Sequence, residues 1–285
     1  PVDDGTPPRG PLAMASPLFL GLDIGTSGVK AIIIDESGAV AATAVAPLSL
    51  DTPRPGWAEQ HPDDWWRASL AAIREACGEK ARHVAAIGIS GQMHSSVFLD
   101  LEGKVIRPAL LWCDGRTTEE CREITLLAGG EERLRELTSN PALEGFTLPK
   151  VLWLRKNEPA AYSRLAHVVL AKDYIRYRLT SELATEPSDA SATLMYDTAR
   201  MRWSDELLDA GDLRLDAVDR TQIVGVRTQN AGAAVIHDVG ELVGRETVVD
   251  GNEHRSNLRH RIKGLELGVR VGRDVRDTIT LLDPE

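Results

Sequence analysis

Leu18-Phe19-Leu20-Gly21-Leu22-Asp23-Ile24-Gly25-Thr26-Ser27-Gly28-Val29-Lys30 is the stretch that decides the fold. Two apolar runs flank the turn Gly25-Thr26-Ser27-Gly28, and the second continues through Ala31-Ile32-Ile33-Ile34-Asp35. Apolar, β-branched runs around a glycine-rich turn predict a β-hairpin. Such a turn permits close backbone approach, and its successive N–H groups can cradle a phosphate. Thr26 and Ser27 add hydroxyl donors, and Asp23, at the end of the first strand, can hold Mg²⁺ through water. A P-loop is excluded: no Gly-Lys-Ser/Thr follows the turn, and a strand rather than a helix comes next. Taken alone, the stretch also fits an ordinary hairpin with a solvated Asp23.

Outward from the hairpin, Glu36-Ser37-Gly38 makes a second turn and residues 39–50 alternate as a third strand. Pro53, Pro55 and Gly56 make 52–60 a loop. A helix then opens with Pro62 at its first position, and Asp63 and Asp64 complement the positive end of its dipole. Trp66, Leu70, Ile73 and Cys77 fall on one face of that helix. Residues 84–90 read as a buried strand. Three antiparallel strands before any helix exclude a doubly wound start, and the order β-β-β-α-β fits an α/β fold of the ribonuclease-H-like (actin-like) kind. Gly91-Gln92-Met93-His94-Ser95 follows at that strand's end, where α/β proteins place ligand groups.

Further on, Leu110-Leu111-Trp112-Cys113-Asp114-Gly115-Arg116 precedes Thr117-x-x-Glu120, a capping-box pattern that opens a helix closed by Gly129-Gly130. Residues 131–138 and the stretch 145–157 are helical, the latter stopping before Pro159. A strand at 168–170 and a helix at 172–179 follow. A loop over 185–191 leads to a strand at 193–196, and a capped helix starts at Trp203-Ser204.

The 285 residues carry a net charge of −10 with 42% hydrophobic residues, which fits one large or two ordinary domains with a real core. The acidic balance argues against a nucleic-acid partner, and no run is long and apolar enough to suggest a membrane partner. Cys77, Cys113 and Cys121 lack metal-ligand spacing and read as reduced thiols of a cytoplasmic protein, with Cys113 a small apolar filler. Residues 1–17 read as a disordered leader, and Met14 as the natural start. All six Trp, four Tyr and three Phe lie at or before Trp203, and residues 217–285 use nine Arg against the single Lys263. That change of composition marks 217–285 as a divergent tail, behind a domain spanning 18–216.

These motifs together give the chain a likeness to the N-terminal domain of the FGGY carbohydrate kinases. The hairpin 21–30 resembles the family's opening phosphate-binding segment. Trp57-Ala58-Glu59-Gln60 with Trp65-Trp66 is similar to its sugar-side loop and helix. Gly91-Gln92-Met93-His94 resembles the form typical of members that phosphorylate D-xylulose, and Trp112-Cys113-Asp114-Gly115-Arg116 the segment lining the sugar pocket. Gly145 to Asn157 satisfies the family's first signature; Lys172-Asp173-Tyr174 and Ser188-Asp189-Ala190-Ser191 also fit. The resemblance implies an actin-like N-terminal sugar-kinase domain that uses ATP and Mg²⁺ to convert D-xylulose, a small-molecule ketopentose, into its 5-phosphate. It implies that Asp23 is the catalytic, Mg²⁺-holding carboxylate and that Thr26 and Ser27 bind phosphate. Gln92, Met93, His94, Trp112, Asp114 and Arg116 would bind the sugar. Read singly, each has a plainer role: Met93 as core filler, His94 as a structural histidine, Asp114 and Arg116 as a surface ion pair, Trp57 as loop packing.

The likeness has gaps. The Gly-Gly-Gly-Asp-Asn run that carries the family's general base is absent, and Asp250 in Val248-Val249-Asp250-Gly251-Asn252 is the nearest candidate, without the preceding glycines. The second domain, which grips adenosine, has no counterpart in the sequence. A non-catalytic sugar-binding remnant, or a kinase for ribulose or fuculose, stays open, and a homodimer is compatible with the sequence.

Overall fold

The computed structural model describes residues 16–210, 225–226 and 233–234; the expectations for most of the leader, for most of the tail and for Asp250 lie outside them. The strands are β1 (Leu18–Ile24), β2 (Gly28–Ile34), β3 (Val40–Pro47), β4 (Glu59–Gln60), β5 (Val84–Gly91), β6 (Val97–Leu99), β7 (Ala109–Leu110), β8 (His167–Val169), β9 (Ala184–Thr185), β10 (Tyr196–Asp197), β11 (Arg202–Trp203), β12 (Gly225–Val226) and β13 (Ala233–Ala234). The helices are α1 (Pro62–Cys77), α2 (Thr118–Leu127), α3 (Glu131–Thr138), α4 (Thr147–Asn157), α5 (Pro159–Tyr162), α6 (Ala171–Thr180), α7 (Pro187–Ser191) and α8 (Asp205–Ala210).

The main sheet runs β13-β5-β1-β2-β3. The hairpin pairs antiparallel with Asp23 opposite Lys30, and β3 extends it antiparallel. The chain then crosses through α1 and returns as β5, parallel to β1, with Asp23 opposite Ser90 and Ile24 opposite Gly91. Two neighbouring strands therefore end side by side, and the loops that follow them share one edge of the sheet.

Leu20, Leu22, Ile24, Val29, Ala31 and Ile33 alternate inward from the hairpin onto α1 and α6. The α1 face is corrected by one residue. Leu70, Ile73 and Cys77 are buried as expected, but Trp65 is the fully buried indole and Trp66 only partly so. Ala68, Ser69, Ala72 and Ala76 share the buried side, and their small size lets a helix of sixteen residues lie close to the sheet. A second core gathers around α4, whose first eight residues, Thr147 to Leu154, are all buried, the mark of a helix enclosed on every side.

Three local expectations fail for identifiable reasons. The capping box at α2 does not form: the Thr117 hydroxyl donates instead to Glu144 O at 3.2 Å, and Glu120 turns toward Lys156. The stretch 187–191 is a short helix rather than loop, because Pro187 occupies N1 and the Glu186 carboxylate accepts from the Ser188 and Asp189 amides. The strand expected over 193–196 is displaced to Tyr196–Asp197, since Leu194 takes a left-handed backbone (φ 60°). No described helix is long and apolar enough to cross a membrane.

Candidate functional site

Asp23 is exposed at the end of β1, and its Oδ1 accepts from the Ser90 hydroxyl at 2.9 Å across the parallel pair. The turn that follows is tight: Gly25 N donates to Gly28 O at 3.0 Å, and a Cβ at Gly25 would stand 3.0 Å from that same oxygen. An exposed carboxylate beside a tight turn whose glycines leave no room for a Cβ suits a metal-bound phosphate, so these residues fit Mg-ATP. Ser27 is exposed, whereas Thr26 faces the neighbouring loop.

That neighbouring loop leaves β5. Gly91 fits where a Cβ would press to 3.1 Å on Ile24, and Gln92 N donates to Ile24 O. A polar relay then joins the two loops. The Trp112 indole N–H donates to Thr26 Oγ1 at 2.9 Å, and Thr26 Oγ1 donates to Gln92 Oε1 at 3.2 Å. Ser95 Oγ donates to Gln92 Oε1 at 3.0 Å and accepts from Trp112 N. Beneath the relay lies Gln60, whose amide donates to Thr26 O at 2.7 Å and to Ser49 O, and whose Oε1 accepts from the Trp65 indole at 2.8 Å. The hairpin turn and the His94 loop are thus one connected polar surface.

His94 is a non-glycine residue with φ 63°, its ring edge-on to Phe146 at 4.7 Å. Its Nδ1 is buried without a hydrogen-bond partner among the described residues. Burial, with the Lys150 ammonium adding to it, holds the imidazole down at about 4, so it is neutral at ordinary pH and offers one donor and one acceptor. Met93 is largely exposed beside it, and the Trp112 ring is about half exposed, a free wall over the loop.

Asp114 and Arg116 are not a surface pair. Their side chains are 0% and 1% exposed, and they bind each other through Nε at 2.8 Å and Nη2 at 2.7 Å. Asp114 also accepts the Ala58 amide at 2.7 Å. Arg116 pairs with Glu59, which Arg107 also reaches, and its guanidinium stacks 3.7 Å over Trp57 beside Trp153. One guanidinium nitrogen, Nη1, stays buried without a partner among the described residues.

Gln60 and Lys150 stand at the centre of the site without being among the residues the sequence points to. Gln60 sits in a loop motif among more conspicuous tryptophans. Lys150 had a legible signal, a lysine flanked by apolar residues in the first two turns of α4. A third group stands behind β5. Lys172 Nζ lies 2.7 Å from Asp189, 2.8 Å from Asp173 and 3.5 Å from Glu186. Burial opposes its charge, but Asp173 and Asp189 outweigh that and push the ammonium up to about 12.

A mixed sheet of this order, with a carboxylate-bearing hairpin turn beside a polar loop, is that of the actin-like, ribonuclease-H-like fold. A model of the FGGY family of carbohydrate kinases, N-terminal domain, matches residues 18–236, and the chain belongs to that family. It is 45% identical over 202 residues to xylulose kinase of Klebsiella pneumoniae, covering 70% of this chain and 41% of that one. It is 43% identical over 201 residues to xylulose kinase of Escherichia coli (strain K12), with the same 70% and 41% shares. The crystal structure of xylulose kinase from Rhodospirillum rubrum superposes with a TM-score of 0.69 at 28% identity, covering 81% of this chain and 47% of that chain. The chain therefore spans about two fifths of the length of these curated relatives.

Proposed function

We propose that this chain is the sugar-binding part of a cytoplasmic carbohydrate kinase that moves the terminal phosphoryl group of Mg-ATP onto the terminal hydroxyl of D-xylulose. The observation that supports it best is the Trp112–Thr26–Gln92 relay, which joins the hairpin turn to the loop after β5. Phosphoryl transfer asks the protein mainly for positioning and charge neutralisation. Asp23 would hold Mg²⁺, and Thr26 and Ser27 the phosphate oxygens; bound Mg²⁺ offsets charge on the phosphates. Neutral His94 and the Gln92 amide suit sugar hydroxyls, which both donate and accept. Met93 and Trp112 would form the apolar wall. Arg116 and Asp114, both buried, would brace the pocket wall through Trp57.

Calorimetric titration of the chain tests this. D-Xylulose is expected to bind, and His94→Ala to weaken it roughly 10-fold, the loss of one good hydrogen bond, with the far-UV spectrum unchanged. Asp23→Ala should abolish the Mg²⁺-dependent part of ATP binding and leave xylulose binding intact. Absence of xylulose binding by the native chain, or unchanged affinity in His94→Ala, would overturn the assignment.

A further inference from the structure

Lys150 is completely buried in α4. Its Nζ donates to His94 O at 2.9 Å and to Gly145 O, two backbone carbonyls of different loops. No carboxylate forms an ion pair with it among the described residues. Gly145 in turn lies against the aromatic wall: a Cβ there would come within 2.7 Å of Trp112 O. Lys150 thus touches the backbone of the loop after β5 directly, and the backbone at Trp112 through one intervening residue. The first of these is held in an unfavourable conformation. A left-handed backbone at a non-glycine residue persists only where its surroundings impose it. The surroundings at His94 are the Lys150 ammonium, and Ser96 Oγ at 3.1 Å, on its carbonyl, and the Phe146 ring on its side chain.

We propose that Lys150 is a positioning residue for the sugar: it fixes the left-handed turn at His94 and so sets where the Met93 and His94 side chains meet the ketose. The inference rests on the function proposed above for what the pose is used for, but not for the contact itself. Burial holds this ammonium down at about 7, with Asp114 opposing. The other groups facing it are Arg116, Cys113 and the Cys121 thiol of α2, together with the His94 ring, which is already neutral in this range. The proton on Lys150 therefore comes and goes near neutrality, and the carbonyl it touches reports it.

His94-Ser95 is the sole His-Ser pair in the sequence, so a chain made with [1-¹³C]histidine and [¹⁵N]serine gives one coupled carbonyl signal, that of His94. In the native chain this signal is expected to shift through a single step with a midpoint near 7. The step should vanish in Lys150→Met and in Lys150→Arg, whose guanidinium does not titrate there, and should survive in Cys113→Ser. In parallel, Lys150→Met should weaken D-xylulose binding by more than about 10-fold while Mg-ATP affinity stays within about 2-fold, and Lys150→Arg should recover most of the loss. Native D-xylulose affinity in Lys150→Met, or a step that persists in Lys150→Arg, overturns the proposal; if Lys150→Met fails to fold, the Lys150→Arg carbonyl decides it. If xylulose does not bind the native chain, the functional reading fails, and the carbonyl titration still judges Lys150 by itself.

Discussion

Replacing Asp114 with alanine is expected to cost roughly 3–5 kcal/mol of folding stability, the usual penalty for removing one member of a buried charged pair. The residue is central to its surroundings. It accepts the Ala58 amide and two guanidinium nitrogens of Arg116, all at 2.7–2.8 Å. Its loss would leave Arg116 buried with Glu59 alone, while Arg107 competes for that same carboxylate. For a domain of this size the penalty corresponds to a fall in melting temperature of roughly 10 °C, measurable by calorimetry. Asp114→Asn, which keeps an acceptor for Ala58 N but loses the charge, should fall between the two. A ligand-binding role alone would give the opposite pattern: an unchanged melting temperature with lost xylulose affinity. That outcome would show that the network around Arg116 does not need Asp114.

This contrast marks where the sequence stops being informative. The hairpin, the order β-β-β-α-β and the place of Gly91 to Ser95 at a strand end could all be read locally. Each depends on periodicity and turn residues within a short window. Whether Asp114 and Arg116 face solvent, a ligand or each other depends on Glu59 and Trp57, more than fifty residues away in the chain, and no local pattern carries that. The unformed capping box has the same origin, since Glu144 O competes successfully for the Thr117 hydroxyl. Lys150 is an intermediate case: its apolar neighbours announce a buried lysine, but its partners, His94 O and Gly145 O, are visible only once the loops have closed around it.

Trp65→Ala should be as damaging as the loss of Asp114, roughly 3–5 kcal/mol, because a large, fully buried side chain leaves a cavity that its neighbours cannot fill. Helical periodicity alone could not choose between Trp65 and Trp66, since both lie within one turn of the same apolar stripe. The structure separates them. Trp65 points into the sheet and donates its indole N–H to Gln60 Oε1, while Trp66 is half-buried under the Arg178 guanidinium at 4.8 Å. Trp66→Ala should therefore cost at least about 2 kcal/mol less in chemical denaturation. The indole N–H has a separate consequence, because Gln60 holds Thr26 O and so the turn itself. Trp65→Phe keeps most of the volume but removes that donor. It should lose only about 1 kcal/mol of stability, yet loosen the turn, and with it the Gln92 amide that also reaches Gln60 Oε1, enough to weaken both Mg-ATP and xylulose binding. Equal losses for Trp65→Ala and Trp66→Ala would mean that α1 rests on the sheet through a different face. An unaltered nucleotide affinity in Trp65→Phe would mean that Gln60 keeps its place without the indole.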